Sequence, residues 1–255
     1  MNVLTFFAHP DDETMLCGGI LAILARQEVK VNYLCATRGE GGEAGDPPLC
    51  TRAELGAVRE QELVCAVGAL HGSSLTFLGY LDPTVGPDSQ LYPFEADLTL
   101  LAGQIVAKIE QFTPIALITH GSNGEYGHPG HRLCNQAALL AIATLGVEAP
   151  ILYTVQGAYA GNPKPRLANP NDPAHLVLDV TSAREQKTRA ALCHQTQNAL
   201  FIRNASRDAG HTLTVSEVIA TMESLHRVYP LLAEGQPAQD VLADVLRQSG
   251  CLERG

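Results

Sequence analysis

Two short segments of the sequence combine histidine with carboxylate or with a second histidine at close spacing. In AHPDDE, His9 stands just before the consecutive aspartates Asp11 and Asp12. In THGSNGEYGHPGH, His128 and His131 lie three residues apart at the start of a predicted helix. That spacing can bring both side chains to one side of the first turn. Because imidazole and carboxylate are ligands of Zn²⁺, and also of Fe²⁺ or Co²⁺, these residues predict a metal site.

The same segments contain more ionisable groups than a metal needs as ligands. Catalytic zinc sites have three protein ligands and one open position, where a bound water ionises at about pH 7. A spare carboxylate can then act as a general base, and a spare histidine as a general acid. Helix capping accounts for one aspartate of AHPDDE, but not for both aspartates and His9. The segments therefore favour metal-assisted hydrolysis.

Strands and helices alternate through the first 160 residues, and these elements must position the two segments. Such alternation is typical of parallel βαβ units, so we expect an α/β, three-layer Rossmann-like fold with a mostly parallel sheet and helices on both faces. Ligands bind beyond the carboxyl ends of the strands in such sheets. The predicted strands are Asn2–Ala8, Val29–Thr37, Ser74–Tyr80, Pro114–His120 and Ile151–Ala158. The predicted helices are Asp12–Gln27, Thr51–Leu70, Phe94–Phe112 and Pro129–Leu145.

The pattern changes after residue 160. Prolines and asparagines over Gly161–Pro173 predict a loop, and His175–Val180 predicts one further strand. We expect a single domain over residues 1–255, in which residues 161–255 add this loop excursion, the strand and C-terminal helices. Those helices are predicted at Ser182–Gln197, Thr214–Leu232 and Pro237–Gln248.

Composition excludes several classes of partner. The formal net charge of −10 argues against nucleic acid and against docking on anionic lipid. The longest apolar stretch, about residues 136–147, is too short to span a bilayer. Seven cysteines, an odd number without a CxxC pair, predict reduced thiols, no disulfide framework and a cytoplasmic protein. HPDDE after the first strand, instead of GxGxxG, argues against a nucleotide-binding Rossmann module.

AHPDDE after the first strand, together with GHPGH after the fourth, resembles the LmbE-like or PIG-L family of zinc-dependent N-deacetylases. The resemblance extends over roughly the first 160 residues, and relatives act in mycothiol and bacillithiol biosynthesis. It implies a hydrolase that uses metal-activated water to remove the N-acetyl group of an N-acetylglucosamine-type substrate. It implies zinc as cofactor, with Fe²⁺ or Co²⁺ as alternatives, and a small-molecule amino-sugar conjugate as partner. Homo-oligomerisation, which is frequent among relatives, stays open.

The resemblance also implies a role for each matching residue. His9, Asp12 and His131 would be the metal ligands, Asp11 the general base, and His128 the general acid or an imidazolium that stabilises the oxyanion. Tyr126 would polarise the amide carbonyl. Substrate contacts fall on Arg38 and Glu43 in the glycine-rich loop Arg38–Cys50 and, through a looser match, on Lys187 and His194.

One position departs from the family motif, which is usually HPDH. This chain has Gly130 in place of the aspartate, so His128 lacks a partner within the motif, and Glu125 is the nearby candidate. His120 could face the pocket or the core, and Arg59 is expected to pair with Glu60 or Glu62 on a solvated helix face. Two other functions stay open: an amidase for a larger thiol-sugar conjugate, and a non-catalytic metal-binding protein of the same fold.

Overall fold

A central sheet organises the chain in the computed structural model, which describes residues 1–162, 164, 166–232, 236–249 and 252–253. The described residues form eight strands of this sheet in the order β10-β8-β9-β5-β4-β1-β2-β3. Strands β1 to β5 are mutually parallel, whereas β9 runs antiparallel to both β5 and β8. The strands are β1 (Asn2–Phe7), β2 (Lys30–Thr37), β3 (Ser74–Tyr80), β4 (Ala116–Thr119), β5 (Ile151–Val155), β6 (Gly157–Ala158), β7 (Asn169–Pro173), β8 (Leu176–Asp179), β9 (Met222–Tyr229) and β10 (Leu252–Glu253).

Helices cover both faces of the sheet, which confirms the predicted three layers. Alternate side chains of β1 enter different cores, because Val3 and Phe7 pack on one face while Leu4 and Phe6 pack on the other. Helices α1, α2, α5 and α8 cover the first face, and α3 and α4 cover the second. The helices are α1 (Asp12–Arg26), α2 (Leu55–Ala69), α3 (Leu98–Phe112), α4 (Pro129–Leu145), α5 (Arg184–Cys193), α6 (Gln195–Ala209), α7 (Val215–Val218) and α8 (Val241–Gln248).

The prediction of one helix over Thr214–Leu232 is wrong. Only the four residues of α7 are helical, and β9 follows, inserted between β5 and β8. Glu223 and Arg227 are buried within this strand, where each pairs with an opposite charge from Lys187 and Asp240 respectively. Polar residues on the buried face hide the alternation of apolar and polar residues that normally indicates a strand.

Several element boundaries also differ from the predictions. The helix expected over Ser182–Gln197 breaks at His194, where α5 ends and α6 begins. The loop expected over Gly161–Pro173 includes β7, which pairs with β6, although Pro163 and Pro165 lie outside the described residues. The helix predicted from Thr51 begins at Leu55, and Thr51 bonds to Glu54 just before it.

Cys65 on α2 and Cys193 at the end of α5 form a disulfide. The expectation that the thiols are reduced is therefore wrong for this pair, which lies 128 residues apart in sequence. Cys17, Cys35, Cys50 and Cys134 are free, and Cys251 lies outside the described residues. Within the described part of the chain, no helix has the length and apolar character needed to cross a membrane.

Candidate metal centre and its surroundings

Residues that follow the carboxyl ends of three parallel strands meet at one edge of the sheet. The turn between β1 and α1 contributes His9, Asp11 and Asp12, while Asp82 follows β3 and His120 follows β4. The loop from β4 leads into α4, which presents His131 from its first turn. The parallel topology therefore brings together residues that are more than a hundred positions apart in sequence, as expected for a ligand site of this fold.

Donor atoms of the three predicted metal ligands, here called the donor triangle, approach one another to 3.2–3.3 Å, with Asp12 using a different oxygen toward each histidine. Nδ1 of His9 lies 3.2 Å from Nε2 of His131 and 3.3 Å from Oδ2 of Asp12. Nε2 of His131 lies 3.3 Å from Oδ1 of Asp12. Ligands on a tetrahedron with metal bonds of about 2.0–2.1 Å are separated by about 3.3–3.4 Å. The donor set and its spacing therefore fit zinc.

Two further carboxylates fix the orientation of the histidine rings. Nε2 of His9 lies 3.1 Å from Oδ1 of Asp82, and Nδ1 of His131 lies 2.5 Å from Oε2 of Glu125. Each carboxylate accepts the proton of one ring nitrogen, which leaves a lone pair on the nitrogen that faces the triangle. Carboxylates of this kind commonly orient histidine ligands and raise their basicity.

His120 is fully buried behind the triangle. Its Nδ1 lies 3.0 Å from Oε2 of Glu125, and its Nε2 accepts the backbone N–H of Ala8 at 3.0 Å. His120 also forms a second compact group of donor atoms with Asp12 and His131. Burial opposes the charged form of Glu125, but His120 and His131 outweigh it and lower the pKa of that carboxyl to about 2. Glu125 is therefore an ionised anchor for two histidines.

Asp11 presents a carboxylate beside the donor triangle. It is the N-cap residue of α1, with a left-handed backbone (φ 107°), yet its side chain caps no helical N–H. Instead, its Oδ2 lies 2.9 Å from Nη2 of Arg59. Burial raises the pKa of Asp11 to about 7, Arg59 opposes that shift, and the neighbouring Asp12 adds to it. A carboxyl with this pKa can exchange a proton near neutral pH.

His128 stands at the N-terminus of α4, where its Nδ1 accepts the backbone N–H of Gly130 at 3.1 Å. The proton of the neutral ring is then on Nε2. A side chain at position 130 would place a Cβ only 3.2 Å from Nδ1 of His128, so glycine leaves room for the ring. Burial, followed by the neighbouring histidines His9 and His131, lowers the pKa of His128 to about 3. Glu125, the expected partner of His128, instead bonds to His120 and His131.

Tyr126 lies over the outer side of the donor cluster. Its ring makes edge contacts with His131 and His128, at centroid distances of 5.4 and 5.8 Å. The residue as a whole is 58% exposed, while burial of the hydroxyl and the nearby carboxylates of Asp12 and Asp11 raise the pKa of Tyr126 well above its usual value.

Of the four predicted substrate contacts, Arg38 and Glu43 lie in a loop, whereas Lys187 and His194 are buried. Arg38 is exposed, next to Glu40 and Glu60, and Glu43 pairs with Arg203 of α6. Both lie in the glycine-rich loop after β2, where their side chains form these ion pairs, and their contact with substrate stays a prediction.

Lys187 and His194, which were predicted to contact substrate, are both fully buried. Lys187 is 1% exposed, and its ammonium contacts the carboxylate of Glu223 at 2.6 Å. His194 is 0% exposed, and its Nε2 lies 3.1 Å from Oε1 of Glu13. Both side chains are committed to buried carboxylates, so a role in substrate contact is ruled out.

Sequence reasoning missed three residues beside the donor triangle: Asp82, Arg59 and Glu13. Asp82 sits at the end of a strand, so its position at the carboxyl edge of the sheet was a usable signal. Arg59 is 3% exposed and reaches Asp11, contrary to the expected surface pairing. Its helix has charged residues on several faces, so the sequence pattern does not distinguish the buried arginine from the exposed ones.

The parallel sheet, the donor triangle and the Asp11 carboxylate, which caps no helix N–H, together define an α/β protein with a site of the metal-dependent hydrolase type. The family described as "PIG-L: GlcNAc-PI de-N-acetylase" matches residues 4–142. The chain belongs to the PIG-L family.

Relatives along the full length support this assignment. The chain is 30% identical over 236 residues to "Probable N-acetyl-alpha-D-glucosaminyl L-malate deacetylase 2" of Bacillus anthracis, covering 90% of this chain and 95% of the relative. It is 34% identical over 154 residues to "1D-myo-inositol 2-acetamido-2-deoxy-alpha-D-glucopyranoside deacetylase" of Acidothermus cellulolyticus, covering 55% of this chain and 53% of the relative.

Solved structures share the fold at low sequence identity. The 4-carboxy-2-hydroxymuconate hydratase GalB from Pseudomonas putida KT2440 superposes with a TM-score of 0.62 at 22% identity, covering 92% of this chain and 99% of that one. The zinc-inhibited form of teicoplanin deacetylase Orf2 superposes with a TM-score of 0.56 at 17% identity, covering 91% and 100%. At such identities the likeness supports the fold alone.

Proposed function

We propose that this chain is a metal-dependent N-deacetylase that removes the acetyl group of an N-acetylglucosamine-type conjugate. The observation that carries the proposal is the donor triangle of His9, Asp12 and His131 with the carboxylate of Asp11 beside it. The name of a relative matched over nearly its full length, and that of a second relative matched over about half, support an amino-sugar amide as substrate.

The three triangle residues would hold a divalent ion, with zinc as the first candidate. When bound, the ion supplies Lewis-acid polarisation of the amide carbonyl and a lowered pKa for water. Asp11 accepts the proton of the attacking water, because its carboxylate is free of helix capping and is aligned by Arg59.

His128 and Tyr126 act on the other side of the amide. His128 donates a hydrogen bond from Nε2 of the neutral ring to the developing oxyanion, since its Nδ1 already accepts from Gly130. The proton that Asp11 takes from the water then passes to the leaving nitrogen as the C–N bond breaks. The sequence left two roles open for His128, a general acid or an imidazolium that stabilises the oxyanion, and we propose that the neutral ring stabilises the oxyanion. Tyr126 donates its hydroxyl to the carbonyl oxygen, and such aligned donors are most effective where charge develops. Arg38 and Glu43 contact the sugar conjugate from the glycine-rich loop.

The test is metal analysis of the purified protein combined with an acetate-release screen. The screen covers N-acetylglucosamine and its conjugates with malate and inositol, as well as diacetylchitobiose. We expect one bound divalent ion per chain and acetate from at least one conjugate. His131→Ala should lose the metal, whereas Asp11→Asn should retain the metal and lose turnover. A metal-loaded protein that releases no acetate from any of these compounds would contradict the deacetylase assignment and favour the amidase alternative.

Four expectations from the sequence stay predictions: the single domain, the cytoplasmic location, the lack of interaction with nucleic acid and the state of self-association. The Cys65–Cys193 disulfide removes the argument from reduced thiols on which the cytoplasmic location partly rested.

A further inference from the structure

Glu13, the last residue of AHPDDE, takes no direct part in the mechanism above, yet it is buried beside it. Its two carboxylate oxygens face different partners. Oε2 accepts the backbone N–H of Asp11 at 3.0 Å. Oε1 lies 3.1 Å from Nε2 of His194 and also accepts the hydroxyl of Thr14. Glu13 therefore connects the backbone of the proposed base to a buried histidine from the C-terminal half of the chain.

The backbone of Asp11 needs such a connection. Its φ of 107° is in the left-handed region, which residues with a Cβ occupy rarely and only where their surroundings hold them. This conformation accompanies a side chain that contacts Arg59 and leaves the helix N-terminus uncapped. The carboxylate of Glu13 accepts the N–H of the residue in that conformation, so it is placed to stabilise the turn.

His194 is held in turn by the junction between α5 and α6. The preceding residue, Cys193, is joined to Cys65 of α2. Thr196, two residues after His194, donates its backbone N–H and its hydroxyl to Glu62 of α2, at 2.8 and 2.7 Å. Among the described residues, Nδ1 of His194 has no hydrogen-bond partner. Its Nε2 lies 3.1 Å from Oε1 of Glu13 and 3.4 Å from Oγ1 of Thr14, so the shorter contact with Glu13 is the main polar contact that orients the ring.

We propose that Glu13, supported by His194, is a positioning residue that holds Asp11 in its left-handed conformation and so aims the Asp11 carboxylate. The inference rests on the proposed function, because it assigns Asp11 the role of base. It also explains why His194 is close to the site without being able to contact a substrate.

A crystal structure of the Glu13→Ala protein tests the positioning directly and needs no substrate. We expect Asp11 to leave the left-handed region and its carboxylate to separate from Arg59. An unchanged φ at Asp11 would overturn the proposal. Because this readout is independent of turnover, it distinguishes failure of the positioning proposal from failure of the deacetylase assignment.

Kinetics on a conjugate that the wild type deacetylates provide the second test. For Glu13→Ala we expect kcat to fall at least tenfold, with KM within threefold and one zinc retained per chain. Glu13→Gln should restore kcat to within threefold of wild type, because its amide oxygen can still accept the N–H of Asp11. Glu62→Gln, which alters a buried carboxylate that contacts the same junction but not Asp11, is the matched control. A kcat loss in proportion to lost zinc, or a Gln variant as slow as the Ala variant, would contradict the proposal.

Discussion

Nη2 of Arg59 lies 2.9 Å from Oδ2 of Asp11, and the same nitrogen donates to the backbone oxygen of Pro10 at 2.6 Å. Nη1 of Arg59 donates to the backbone oxygen of Gly39 at 2.8 Å. One buried guanidinium from α2 thus connects the turn after β1 to the glycine-rich loop after β2. The proposed base, Asp11, and the glycine-rich loop are therefore both hydrogen-bonded to the guanidinium of Arg59.

Replacing Arg59 with Met should slow the reaction and change its pH dependence. Arg59 lowers the pKa of Asp11, so without the guanidinium that pKa rises. Because the base must be ionised, the acidic limb of the kcat/KM profile should move to higher pH, and the rate at neutral pH should fall at least tenfold. Arg52→Met is the control, since Arg52 bonds to the backbone of Glu40 and Gly42 and not to Asp11. An unchanged acidic limb in Arg59→Met would remove Asp11 from the role of base.

Replacing Glu125 with Gln should weaken metal binding. Glu125 accepts the Nδ1 protons of His131 and His120, and loss of a carboxylate that orients a histidine ligand typically costs 10–100-fold in metal affinity. Competition with a chelator of known zinc affinity measures this effect without any substrate. The exposed Glu95 offers a control, Glu95→Gln, that should bind zinc as the wild type does. Equal zinc affinity in Glu125→Gln and wild type would show that His131 needs no such partner.

Much of the site could be predicted from the sequence because its residues follow strand ends. Apolar strands such as Asn2–Phe7 stand out in a parallel sheet, since they are buried on both faces. The residues just after them must then meet at one edge, which places the histidines and aspartates of AHPDDE and GHPGH together. The topology of the first half of the chain predicts this cluster, and the family resemblance singles out His9, Asp12 and His131 as its ligands.

The parts of the fold and of the site that the sequence does not predict depend on polar residues that are buried and paired. Glu223 in β9, Arg59 in α2 and Lys187 in α5 are charged, so a hydropathy pattern assigns them to solvent. Their partners lie 36 to 48 positions away, at Lys187 for Glu223 and at Asp11 for Arg59. Only the tertiary structure shows such pairings. For the same reason, the sequence pattern predicts a helix where β9 lies and a surface position for Arg59.

Replacing Lys187 with Met should destabilise the protein without impairing substrate binding. The substitution leaves Glu223 buried without its cation, and breaking a buried ion pair in this way costs about 3–5 kcal/mol. Glu223 also accepts the backbone N–H groups of Gly19 and Ile20 inside α1, so it cannot turn toward solvent without losing them. Urea unfolding measures the loss, and Arg189→Met, an exposed position on the same helix, should cost little. A raised KM at unchanged stability would instead support the substrate contact that the sequence predicts for Lys187.

Reducing the Cys65–Cys193 disulfide should lower stability by about 2–5 kcal/mol, because it joins residues 128 positions apart and so restricts the unfolded chain strongly. Cys65 is exposed, so a small-molecule thiol can reach the bond. Urea unfolding of the wild type with and without dithiothreitol measures the difference. The Cys65→Ser/Cys193→Ser protein should match the reduced wild type and show no further response to the reductant, whereas Cys50→Ser, which removes a free thiol, should respond as the wild type does. A wild type whose unfolding does not change with dithiothreitol would show that the disulfide does not contribute to the stability of the folded chain.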